Sequence, residues 1–408
     1  MAWAQDDIPG TARKFAEHLR SGDFLRARAM FDPDMTRVVS QKAFVQSWKV
    51  MTDKHGPFQK FGTATVEAIP PYQAVFIPCT FQKYRCRLKV VLNTRNQVSG
   101  YFWVSHVASQ PPAYRQVKCI EHRVQVGKWK LPGMIALPPT PVRAGVVLVH
   151  GSGPNDMDET IGPNKPFLDL ARGLAGQGLA TLRYDKRTKT YGLAMALKKP
   201  TLEEEVLEDA LAALELLRAR PELKGRPIIL LGHSLGGILG PEIARRDGRV
   251  QGLILMAAPA RPFDKVLIDQ LEYVGSLHPA QKAAVDEMIA ALRRFEQLPD
   301  EDKTILGAPA GYWREIAAYQ KRSLQTARQL SCPILILQGG RDYQSTEPDY
   351  RLWMEALKGR PDVSGQLYPA LNHLFAPGKG KARPEEYEEQ NYLDPEVIKR
   401  ISQWCPKP

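Results

Sequence analysis

Two hydrophobic patterns succeed each other along the chain. In "GTARKFAEHLRSGDFLRARAMF" (10–31), Ala12, Phe15, Ala16 and Leu19 form one helical stripe and Phe24, Ala27 and Met30 another, broken at Ser21-Gly22. A second helix is expected over 41–51. The strand-like runs "FGTATVEAI", "YQAVFIPCTF", "YRCRLKVVL" and "QVSGYFWVS" follow. Helices first and an antiparallel meander after them predict a small α+β domain over 1–105.

Residues 106–115, "HVASQPPAYR", read as a linker, and 116–408 read differently. "IEHRVQVG" and "WKLPGMIALPP" are expected to be two leading strands. "AGVVLVHGSG", "LATLRYD", "PIILLGHS", "VQGLILMAA" and "CPILILQGG" are nearly continuous apolar runs, the pattern of parallel strands buried on both faces. Helical segments separate them. The clearest is "TLEEEVLEDALAALELLRA", opened by a Thr201/Glu204 capping box and continued by Leu207, Leu211, Leu214 and Leu217. Alternating strands and helices predict a doubly wound, mostly parallel α/β sheet. Residues 260–330 interrupt the alternation with helical periodicity and no clear strand. Val285, Met288, Ile289, Leu292 and Phe295 share one face there, and Tyr312, Trp313 and Ile316 begin another. An inserted helical lid is the expected role.

The chain has 408 residues, of which 43% are hydrophobic, and no run approaches 18 apolar residues, so no membrane-spanning helix is expected. The net charge is +12, and residues 1–106 hold +7 of it, with 15 Lys/Arg against 8 Asp/Glu. Arg85, Arg87 and Lys89 alternate with apolar residues, which gives one strand a basic face. That face reads first as a solvated surface that blocks further strand pairing; docking on an anionic cell surface is the alternative. No interleaved aromatic motif points to nucleic acid. Of five cysteines, Cys79 and Cys86 fall opposite each other in a hairpin turning at Gln82-Lys83, where a disulfide and two buried thiols are both open. Ala2-Trp3-Ala4 before Gln5 has the small-x-small form of a signal-peptidase site. Export to the periplasm or the exterior is expected from it, with a cytoplasmic chain as the alternative.

The candidate chemistry lies in "IILLGHSLGG". Gly232-x-Ser234-x-Gly236 follows a buried strand and precedes a helix, the setting of a nucleophile elbow. A serine nucleophile needs a base, and the base an orienting acid. Asp342 lies just past the apolar strand "CPILILQGG", and His373 is the sole histidine beyond it. Glu347 and Asp349 are fallback acids. The backbone N–H groups of Leu235 and of Ser152, in "VHGSG", are the candidate oxyanion donors. His233, Tyr312 and Trp313 are candidate substrate contacts. Asp156, Asp158, Glu159, Asn164 and Lys165 read as loop anchors and caps for a helix near Pro166, with a polar substrate group or cation as the other option. Asp185 and Arg187 read as an ion pair at a strand end. No metal or organic cofactor is expected.

With these motifs in place, residues 116–406 resemble an α/β-hydrolase of the bacterial carboxylesterase, dienelactone-hydrolase-like type. The stretch "HGSGPNDMDETIGPNKPF…RYDKRT" is similar to serine esterases carrying a small N-terminal α+β domain of unknown function, which residues 5–105 resemble. The resemblance implies hydrolysis of small-molecule carboxylic esters by Ser234, Asp342 and His373. A thioesterase, peptidase or acyltransferase would use the same residues. A surface-binding protein held by its basic front domain is the non-enzymatic alternative.

Overall fold

The computed structural model describes residues 8–69, 71–82, 84–105, 117–196, 201–279, 282–297, 304–305 and 308–406. The Ala2-Trp3-Ala4 motif and the linker at 106–115 lie outside them. The chain divides into two compact units, residues 1–108 with 388–390, and residues 109–387 with 391–408.

The first unit opens with α1 (Ile8–Arg20), α2 (Phe24–Ala29), α3 (Pro33–Val38) and α4 (Gln41–His55). The break falls at Ser21-Gly22, where Gly22 takes φ +75°, a value L side chains avoid. The strands are β1 (Phe58–Phe61), β2 (Thr65–Ile69), β3 (Tyr72–Phe81), β4 (Arg85–Leu92) and β5 (Val98–Ser105). All pair antiparallel, in the order β1-β3-β4-β5 with β2 also on β3. Sequence periodicity misses α3 and β1, which are too short to show a repeat. Phe15, Phe31, Phe44 and Leu88 lie in the core between helices and sheet. Cys79 and Cys86 are register partners, buried and present as free thiols. Arg87 and Lys89 stand on the other face of β4, their charged ends 4.6 and 5.6 Å from the Phe76 ring centroid.

The second unit is built on eight strands. They are β6 (Lys118–Val126), β7 (Trp129–Leu137), β8 (Ala144–Val149), β9 (Leu179–Tyr184), β10 (Ile228–His233), β11 (Gly252–Met256), then, past a short hairpin β12 (Thr304–Ile305) and β13 (Ala308–Pro309), β14 (Ile334–Gly339) and β15 (Val363–Tyr368). The sheet order is β15-β14-β11-β10-β8-β9-β7-β6. It is parallel from β15 to β9; β7 alone runs opposite to the rest, so its pairings with β9 and with β6 are antiparallel. Burial on both faces explains the apolar runs: Leu230 faces one core, while Ile229 and Leu231 face the other. The helices are α5 (Pro166–Gly176), α6 (Arg187–Thr190), α7 (Gly192–Ala196), α8 (Glu208–Arg218), α9 (Leu235–Asp247), α10 (Phe263–Leu277), α11 (Lys282–Leu292), α12 (Ala310–Gln329), α13 (Glu347–Ala356) and α14 (Pro395–Trp404). The Thr201/Glu204 box forms, but the turn after it, Glu203–Leu207, is a π-helix before α8 begins.

Several expectations change. The 260–330 insertion holds α10, α11 and the whole of α12, but also the β12–β13 hairpin. Phe295 lies beyond α11 in a 3-10 turn, and Met288 is exposed. Lys165 leads into α5 with no side-chain cap. Asp185 and Arg187 do not pair. Asp185 accepts from the Met157 N–H (2.8 Å), whereas the buried Arg187 binds Asp209 Oδ1 (Nη2, 2.5 Å) and Glu208. Asp185 lies in the turn after β9 and Arg187 opens α6, so closeness in sequence does not bring the two side chains together.

Asp169, in the first turn of α5, is buried and accepts a hydrogen bond from the Leu393 N–H (3.1 Å). Burial pushes its carboxyl up to about 6, from 3.8. Between those values the folded state keeps a proton that the unfolded state releases, so stability falls as pH rises through this window. Asp169→Asn retains the acceptor oxygen without the charge. It should leave stability unchanged at pH 4 and raise it by up to about 3 kcal/mol at pH 8, measured by urea unfolding at both pH values.

Candidate active site

Ser234 stands between β10 and α9 with φ 52° and ψ −114°, a left-handed backbone that non-glycine residues rarely adopt. The surroundings hold the turn in place. Ser234 N–H donates to Met256 O on β11 (2.9 Å), and its carbonyl accepts from Gly237 and Ile238. A Cβ on Gly232 would lie 2.1 Å from Gly236 O, and one on Gly236 would lie 2.3 Å from Val149 O at the end of β8. The glycines therefore let strand, turn and helix cross at backbone contact. This is how a serine comes to project from the C-terminal edge of a parallel sheet.

Asp342 follows β14 and is buried. Its Oδ1 accepts from the Gln344 and Ser345 N–H groups (2.7 and 3.1 Å), and its Oδ2 from Gln338 Nε2 (3.2 Å). His373, beyond β15, brings Nδ1 to 2.7 Å from the same Oδ2. A carboxylate so placed accepts the Nδ1 proton, which leaves Nε2 as the basic nitrogen. The fallback acids are engaged elsewhere. Asp349 accepts from the Ala260 and Arg261 N–H groups and pairs with the Arg261 guanidinium, while Glu347 pairs with Arg351 at 2.6 Å.

The loop after β8 runs His150-Gly151-Ser152. Gly151 N–H donates to Glu159 Oε1 (2.6 Å), and its carbonyl accepts from the buried Lys186 ammonium (3.1 Å). The Gly151 amide is thus used within the protein. Ser152, Ser234 and Leu235 line one cavity of about 60 Å³. Its walls are mostly apolar, with Phe263 from α10 and Trp313 from α12 stacked at 5.6 Å and 23°. Gln270 and Gln344 supply the polar part, joined by a 2.8 Å bond from Gln270 Nε2 to Gln344 O.

Of the three expected substrate contacts, only Trp313 faces this cavity. Tyr312, about 100° round the helix from it, is turned to Glu205. His233 is buried, with Nε2 3.0 Å from His373 O and Nδ1 3.0 Å from Glu159 Oε2. Nε2 is thus bonded to the backbone and Nδ1 stands at ion-pair distance from Glu159, and His233 does not line the cavity. The crowded loop anchors itself: Asp158 pairs with Lys165 and Arg183, both at 2.8 Å, and Asp156 Oδ1 accepts from the Asp158 and Thr160 N–H groups. Asn164 Nδ2 donates to Tyr387 O. Among the described residues no three His, Cys, Asp or Glu side chains are grouped to hold a metal ion. Sequence reading missed Lys186 and Glu205, which form a buried pair at 2.7 Å. Buried charges inside polar strings such as "RYDKRT" and "TLEEEV" carry no periodic signal that would single them out.

Residues 140–376 match the family described as serine aminopeptidase, S33, and residues 12–101 match a family of unknown function. The chain is 36% identical over 402 residues to Esterase EstD of Thermotoga maritima, covering 96% of this chain and 94% of that protein. It is 25% identical over 219 residues to Thioesterase TesA of Mycobacterium marinum, covering 52% and 80%. The solved structure of Est1E from Butyrivibrio proteoclasticus is 17% identical, over 69% of this chain and 97% of that one, with a TM-score of 0.47. On the family match and the near full-length likeness to EstD, the chain belongs to the serine aminopeptidase, S33, family and is an enzyme of the α/β-hydrolase superfamily.

Proposed function

We propose that this enzyme is a serine carboxylesterase for short-chain esters, in which Ser234 is the nucleophile, His373 the base and Asp342 the orienting acid. The observation that carries the reading is the His373–Asp342 bond at 2.7 Å beyond β14 and β15, at the same sheet edge where Ser234 holds its left-handed turn. The likeness to EstD, a named esterase, over 96% of the chain supports an ester as substrate.

His373 Nε2 takes the Ser234 proton as Oγ attacks the ester carbonyl, and the C=O bond becomes a tetrahedral oxyanion. The N–H groups of Leu235 and Ser152 stabilise that charge; Gly151 is excluded because its N–H is bound to Glu159. The imidazolium returns its proton to the leaving alkoxide, and an acyl-enzyme remains. Water activated by His373 then releases the acid and restores Ser234. Asp342 holds the tautomer and stabilises the charged imidazole.

The cavity argues for small acyl groups. Its 60 Å³ is well below the ~150 Å³ of an apolar cavity that holds a benzene ring. Phe263 and Trp313 close it, so the 260–330 insertion acts as a cap that sets acyl length.

Across nitrophenyl esters from acetate to laurate, turnover should fall with chain length. Ser234→Ala should lose at least about 10⁴-fold in kcat with the fold intact; a retained rate ends the assignment. No ester turnover by a folded protein whose Ser234 reacts with a fluorophosphonate would move the substrate to a thioester or amide. Trp313→Ala should raise kcat/KM for octanoate relative to acetate by at least about tenfold, each methylene newly buried contributing ~0.8 kcal/mol. An unchanged ratio would take Trp313 out of the acyl wall.

A further inference from the structure

A second carboxylate–histidine pair lies directly behind the proposed one. Glu159 and His233 are both more than nine-tenths buried. One carboxylate reaches two loops that the proposed chemistry needs. Its Oε1 accepts from the Gly151 N–H at 2.6 Å, one residue before Ser152. Its Oε2 lies 3.0 Å from His233 Nδ1. On the far side of that ring, Nε2 is 3.0 Å from the carbonyl of His373. A carbonyl can only accept, so Nε2 carries a proton. The carboxylate beside Nδ1 favours a proton there as well, and it raises the affinity of His233 for its second proton despite burial. The two histidine rings pack with centroids 4.7 Å apart.

The backbone is committed to this arrangement. Glu159 has φ 52°, a strained value for a long side chain. Its turn is held by Glu159 N–H to Asp156 O (2.9 Å) and by Asp156 Oδ1 accepting from the N–H groups on either side. Lys186 grips the carbonyl of the same Gly151 residue, so the loop is fixed on both its donor and its acceptor. Strain and a buried charge are expensive together, and their retention beside a reactive serine points to a positioning task.

Resting on the reading of Ser234 and His373 above, we propose that Glu159 is a positioning residue. It fixes the oxyanion loop through Gly151 and, through His233, the backbone of His373, so that base and oxyanion donors keep one mutual geometry. Neither Glu159 nor His233 touches substrate. A misplacement of about 1 Å at such a site costs on the order of 10²-fold in rate.

The test uses the full chain and two readouts: steady-state hydrolysis of nitrophenyl acetate, and the rate at which a fluorophosphonate labels Ser234. Glu159→Gln keeps shape and an oxygen for Gly151 but removes the charge. His233→Phe keeps the ring and removes both nitrogens, and His233→Gln returns one N–H donor. Glu159→Gln and His233→Phe should each lower kcat and labelling roughly 10- to 100-fold, with KM within about threefold and the melting temperature nearly unchanged. His233→Gln should recover part of the rate. The double variant should be no worse than the poorer single one, because both break one chain of contacts. Full kcat in the folded variants, a loss confined to KM or to melting temperature, or losses that multiply in the double variant would each overturn the proposal. Should Glu159→Gln fail to fold, the two His233 variants carry the test. Wild-type protein whose Ser234 resists labelling would instead overturn the parent reading, and Ser234→Ala run beside it separates the two.

Discussion

The second unit turns on a single backbone constraint, the left-handed conformation of Ser234. A chain that leaves β10, reverses at one residue and enters α9 must bring helix and strands into backbone contact. Gly232 and Gly236 permit the approach, and the long apolar strands on both sides make it rigid. Local strain of this kind persists only where the surrounding structure over-determines it. Here the hydrogen bond from Ser234 N–H to β11 and the buried faces of β8, β10 and β11 do so.

The second unit also buries charged groups in pairs. Glu159 with His233, Lys186 with Glu205 and Arg187 with Asp209 are held below the sheet's C-terminal edge, each pair close and little exposed. Buried pairs of this sort add little net stability, since desolvation consumes most of the attraction. They do impose direction. A carboxylate that is bonded to Gly151 and ion-paired with His233 allows far fewer loop conformations than an apolar side chain in its place would. Electrostatic order at the loops therefore complements the steric order at the turn.

The 260–330 insertion is built on a different principle. Helices α10 and α12 bring aromatic surface over the serine, and the Phe263–Trp313 stack leaves a small apolar space. On the proposed function such a space would select by shape and not by charge, and so by acyl length more than by acyl identity.

The sequence by itself determined the parallel sheet, because strands buried on both faces must be apolar at every position, and that pattern survives in one dimension. It also determined Ser234, Asp342 and His373 as candidates, because elbow glycines and strand ends are local features with a required order. The basic strand face of β4 and the facing Cys79 and Cys86 were legible too, since a hairpin turn fixes cross-strand register. Tertiary structure alone decided the partners. Asp185 and Arg187 lie two positions apart and bind different groups, Tyr312 and Trp313 are neighbours and face different surroundings, and Glu159 reaches His233 across 74 positions. Side-chain direction and long-range approach depend on how elements pack, and a polar residue in a loop carries no period that would reveal which distant atom it will meet.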